Sequence, residues 1–82
     1  METFLVEHYW PGVTEEAFRL AAARVRASAE ELGADIRFLH STLVPADEAA
    51  FCVFAAVSPD VVVEAYRRAG VAYERISEAR ET

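Results

Sequence analysis

Nine consecutive apolar positions, Ala49 to Val57, interrupt a chain whose other apolar residues recur at helical or strand-like spacing. A strand with one solvated face alternates apolar and polar residues, so an unbroken run of strand length predicts a strand covered on both faces. Upstream, Thr3 to Trp10 is rich in aromatic and branched residues and stops at Pro11-Gly12, which predicts a first strand. Thr14 then stands as a helix N-cap before Glu15 and Glu16, whose charges suit the positive end of a helix dipole. Phe18, Ala22, Val25, Ala29 and Leu32 follow at helical spacing, and Gly33 supplies the stop. Ile36 to Val44 predicts the second strand, and Pro45 to Glu48 a turn that makes the second and third strands an antiparallel hairpin. Ser58-Pro59-Asp60 opens a second helix with Val62, Ala65, Tyr66 and Ala69 on its apolar side. Gly70 closes that helix, and Tyr73 to Ala79 reads as a fourth, edge-like strand whose charges discourage strand addition.

This order, β-α-β-β-α-β, is the split βαβ or ferredoxin-like arrangement of the α+β class: a four-stranded antiparallel sheet with both helices on one face. All 82 residues are expected to form one such domain. Two helices cover one face of the sheet and leave the other bare, so the apolar third strand demands a partner. A second copy is the expected one, giving a homodimer packed through the open sheet faces, a dimeric α/β-barrel arrangement.

Charge then narrows the function classes. The net charge is −6, with no Lys, and the positive charges are all Arg, so the overall field repels polyanions and a nucleic-acid partner is not expected. No apolar run approaches the roughly 20 residues of a membrane-spanning helix, and no membrane role is expected. The single cysteine, Cys52, lies inside the apolar run; a buried, reduced thiol and a cytoplasmic location follow as expectations. Phosphate-cradling glycine loops, Cys-x-x-Cys pairs and His-Glu-x-x-His are all absent from the sequence. Ser41, His40 and Asp47 fail as a triad because adjacent strand residues point to opposite faces.

Two histidines carry the remaining chemistry. His8 stands among Glu7, Tyr9 and Trp10 beside the Pro-Gly turn, where strand ends commonly present binding groups. Alternation sends Glu7 and Tyr9 to the face opposite His8. His40 lies mid-strand with Phe38 and Thr42 expected on its own face; it enters a dimer cavity if that face is the bare one and is a core polar group otherwise. Cys52 reads as a core thiol or, less simply, a soft ligand, while Tyr66 and Tyr73 suit either an interface or a pocket.

Several segments together resemble a family of small ferredoxin-like proteins, largely of unknown function, with a nickel-binding branch. They are Phe4-Leu5-Val6-Glu7-His8, Pro11-Gly12-Val13-Thr14, His40-Ser41, Phe51-Cys52 and Glu64-Ala65-Tyr66-Arg67-Arg68-Ala69-Gly70. The resemblance implies a homodimer and a transition-metal site near the interface to which His8 contributes; Ni(II) or Zn(II) is the expected ion. The nickel-binding branch carries further histidines around the end of the second helix. Here those stretches read Glu64-Ala65-Tyr66 and Gly70-Val71-Ala72, which removes the strongest Ni(II) donors. Three function classes stay open: a dimeric binding protein for a metal or small ligand, an accessory module without chemistry, and a cofactor-independent enzyme acting on an apolar molecule, the last being disfavoured.

Overall fold

A computed structural model describes residues 1–80 and 82. Its elements run β1 (Glu2–Tyr9), α1 (Glu15–Glu31), β2 (Ile36–Val44), β3 (Ala49–Ala56), α2 (Pro59–Ala69) and β4 (Arg75–Ala79), with short 3-10 turns at Gly33–Asp35 and Pro45–Asp47. The sheet order is β2-β3-β1-β4, every neighbouring pair antiparallel. This is the expected ferredoxin-like architecture. The Cα envelope measures 33 × 30 × 17 Å, so the thin dimension holds one sheet and one helical layer with nothing over the second face.

Local chemistry accounts for the element ends. The Thr14 side chain accepts a hydrogen bond from the Ala17 N–H at 3.1 Å, satisfying one free donor of the first turn of α1. Ser58 occupies the equivalent place before α2 without a side-chain cap bond, and Pro59 supplies the preset backbone there. Gly70 (φ +66°) takes the left-handed conformation that closes α2, a region that costs an ordinary residue about 1 kcal/mol or more. Glu48 (φ 51°) is the one non-glycine residue at positive φ among the described residues. Its carbonyl accepts from Trp10 N–H and its carboxylate from Gly12 N–H, both at 2.8 Å, so the hairpin before β3 holds the turn after β1.

The core lies between sheet and helices. Phe4, Val6 and His8 of β1 and Ala50, Cys52, Phe54 and Ala56 of β3 are buried there, against Phe18, Val25 and Ala29 of α1 and Val62, Ala65 and Tyr66 of α2. The alternate residues of β3, namely Ala49, Phe51, Val53 and Ala55, are only half-buried on the opposite face. Helices therefore cover one side of the apolar run, as its length demanded, and the chain leaves the other side open. The run also outlasts the strand: Val57 lies beyond it and is 54% exposed.

Boundaries and facings differ from the sequence reading in places. β1 ends at Tyr9, and Trp10 belongs to the turn. β4 starts at Arg75, so Tyr73 sits in the connection after α2, its ring 5.1 Å from that of Tyr66. β2 contains a bulge between Phe38 and His40: Phe38 pairs with Phe54, whereas His40 pairs with Val53. Phe38 thus lies on the helix side and His40 and Thr42 on the open side, because the extra residue resets the alternation. Phe38 packs edge-on against Phe54 and lies 4.7 Å from the Arg26 guanidinium, both contacts on the helix side.

Candidate functional site

His8 is a buried polar side chain with both ring nitrogens in hydrogen bonds. Alternation along β1 puts it beneath the helices, with only 5% of its surface exposed. Its Nδ1 lies 3.1 Å from the Ala72 carbonyl oxygen and its Nε2 3.0 Å from the Tyr66 hydroxyl. A carbonyl only accepts, so Nδ1 carries the proton and donates to Ala72; the neutral Nε2 then accepts from the Tyr66 O–H. Burial lowers the His8 pKa and outweighs the opposing hydrogen bond to Ala72, which favours this neutral tautomer.

The arrangement continues inward. Burial pushes the Tyr66 phenol far above its ordinary range, keeping its proton available for His8. The Cys52 thiol is buried in the same core and pushed up by that burial, so it stays a protonated core group. No buried side-chain nitrogen or oxygen among the described residues lacks a partner. Tyr66 on α2, His8 on β1 and the Ala72 carbonyl before β4 thus form one polar thread through an otherwise apolar core. It joins segments that the chain separates by up to 64 positions. Chemically it is a clamp: each His8 nitrogen is engaged, and none is free to act as a base.

Next to this clamp, a cavity of about 320 Å³ opens between the end of β1, α1 and the segment after α2. His8, Tyr9 and Trp10 line it together with Arg24, Val71 and Ala72. Of the expected group around the Pro-Gly turn, His8, Tyr9 and Trp10 share this pocket and Glu7 does not. Glu7 lies on the open face and accepts a 2.7 Å hydrogen bond from Arg75 Nε. His40 and Thr42 are exposed on the open face, Cys52 and Tyr66 are in the core, and Tyr73 is at the surface behind Tyr66.

Sequence reasoning missed two contributors. Ala72 acts through its backbone carbonyl, which no side-chain pattern announces. Arg24 flanks Ala21, Val25 and Ser28, the buried stripe of α1, and its place one step from that stripe was the available signal. The described residues contain no group of three His, Cys, Asp or Glu side chains able to hold a metal ion. The Glu64 carboxyl, held down to about 2 by Arg67 and then Arg68, is a solvated helix ion pair and adds little. No helix among the described residues is long and apolar enough to cross a membrane.

Comparison with known proteins places this geometry. A family model described as "Nickel responsive protein SCO4226-like" matches residues 4–79. The chain is also similar to the crystal structure of SCO4226 from Streptomyces coelicolor A3(2), with a TM-score of 0.84 and 21% sequence identity over 98% of both chains. At that identity the likeness establishes the fold. A comparison with curated proteins finds no match.

Proposed function

The chain belongs to the SCO4226-like family of nickel-responsive proteins, and from that premise we propose that it is a small homodimeric binding protein assembled through the open face of its sheet. The observation that carries this reading is the outward row of β3. Phe51 and Val53 lie there beside Leu5 of β1, half-buried by their sheet neighbours alone and uncovered by any helix. Four strands at about 4.8 Å spacing and eight residues at about 3.3 Å give a face of roughly 500 Å² in projection. Side-chain relief raises its accessible area towards the ~800 Å² per partner of an ordinary stable interface. The Glu7–Arg75 ion pair sits on the same face already neutralised, which lowers the cost of covering it.

A nickel site does not fit a single copy. His8 would have to give up Tyr66 or Ala72 to bind a metal, Cys52 is buried and protonated, and no three donors converge among the described residues. Nickel or zinc binding therefore belongs, in this reading, to the junction between copies. His40 is the imidazole on the open face, and a two-fold axis through that face contributes one from each chain.

Sedimentation equilibrium at micromolar concentration is expected to give twice the chain mass, and Val53→Glu a folded monomer with unchanged far-ultraviolet dichroism. A wild-type monomer would defeat the proposal. Native mass spectrometry during titration with Ni(II) and Zn(II), repeated on His40→Ala and His8→Ala, separates an interface site from a metal-free dimer. Uptake at a fixed metal-to-dimer ratio that His40→Ala abolishes supports the former, and uptake lost only with His8→Ala returns the site to the core.

A further inference from the structure

Arg24 gives the cavity beside His8 a chemical preference. One of its guanidinium N–H groups donates to the Ala69 carbonyl at the end of α2, a bond that fixes the head group over that helix terminus. Gly70 allows this approach, since a Cβ at that position would lie only 3.3 Å from Arg24 Nη2. A guanidinium has five N–H donors, so four are left. The ion pairs of the described residues engage Arg19, Arg67, Arg68, Arg75 and Arg80, and none engages Arg24. A fixed arginine without an acidic partner among the described residues therefore lines a cavity whose other walls include Trp10, Ala21, Val71 and Ala72.

We propose that this pocket binds a small carboxylate with an apolar or aromatic body, the carboxylate paired with Arg24 and the body set against Trp10 and Val71. The volume, about 320 Å³, is that of a site for one small molecule. Arginine suits a carboxylate because its planar fork offers two parallel N–H donors. His8 contributes a ring with both nitrogens engaged, so it shapes the wall and does not ionise against the ligand. The net charge of −6 opposes non-specific attraction of anions, so a preference for acid over neutral isostere has to originate at Arg24. The rigid frame comes from Glu48, which ties down the Trp10–Gly12 turn, and from the His8–Ala72 bond. All of the lining residues belong to one chain.

Trp10 is the sole tryptophan, which makes its fluorescence a reporter inside the pocket. Phenylacetate titrated into the intact protein is expected to change Trp10 emission saturably, and phenylacetamide to bind at least tenfold more weakly. Arg24→Gln should erase that tenfold preference while leaving the amide affinity in place. Equal affinity for acid and amide, or no saturable change with phenylacetate up to about 10 mM (a limit of roughly 2.7 kcal/mol in affinity), overturns the proposal. So does an Arg24→Gln protein that keeps the acid preference. Should Arg24→Gln fail to fold, the acid-against-amide comparison on the wild type decides alone, with Arg24→Lys as the variant that keeps the charge and loses the fork.

Discussion

Replacing Tyr66 with Phe isolates the polar thread from the packing around it. Tyr66 is 1% exposed, and its ring lies 5.4 Å from that of His8, 5.8 Å from Phe54 and 5.1 Å from Tyr73. Phenylalanine keeps all three contacts and deletes only the hydroxyl. His8 Nε2 then loses its donor at a site with almost no access to water. Leaving a buried acceptor unpaired costs about 1–3 kcal/mol, more than the net worth of an ordinary hydrogen bond. In a domain of this size each kcal/mol moves the melting temperature by about 4–8 °C, so a fall of roughly 5–20 °C is expected. Urea unfolding followed by circular dichroism, at one fixed protein concentration because association contributes to stability, gives the difference directly. Long-range proton–nitrogen correlation of the imidazole supplies the second readout, with His8 protonated on Nδ1 in the wild type. A Tyr66→Phe protein within about 0.3 kcal/mol of the wild type, well under the range above, or a wild-type His8 protonated on Nε2, would refute the assignment of donors and acceptors.

Acid should weaken the fold through the same residue. Burial holds the His8 pKa below its ordinary value of 6.5, so just below that value the unfolded chain binds a proton that the folded chain refuses. Stability therefore rises with pH through that window, is complete above about pH 6.5, and declines as pH falls toward the depressed value. Urea midpoints between pH 7 and 5 test this, since His8→Asn should lose the part of the slope due to His8; a variant slope equal to the wild type's would contradict it. At the helix starts, Thr14→Ala should cost about 1 kcal/mol and Ser58→Ala clearly less, because only Thr14 makes a side-chain cap bond. Equal losses from the two variants would show that cap geometry is not what distinguishes them.

The periodic features of the sequence were legible because they answer to local rules. Thr14, Gly33 and Gly70 mark the helix ends where expected, and Val62, Ala65, Tyr66 and Ala69 are the buried face of α2. The opposed facing of His8 and Glu7 also followed from strand alternation. What escaped was set by tertiary context. Phe38 was expected beside His40 and Thr42, and a single extra residue in β2 sent it under α1 instead. His8 was expected as a metal ligand or pocket residue because of its neighbours and the family resemblance, whereas its two hydrogen-bond partners are a distant phenol and a backbone carbonyl. Arg24 was not singled out by the sequence, because its partner, the Ala69 carbonyl, lies 45 positions away at the end of α2.

The irregularity at Leu39 acts as a phase marker within β2. Before it the even-numbered residues Ile36 and Phe38 face the helix-covered layer and Arg37 the open side, and from His40 onward the even-numbered residues have changed sides. Losing or gaining one residue there would exchange the outward and inward sets of the following segment without altering any side chain. Relatives of this protein therefore have to be compared with the gap placed at that point. Aligned by residue identity alone, a histidine that belongs to the outer surface in one chain would be matched with one that belongs to the interior of another.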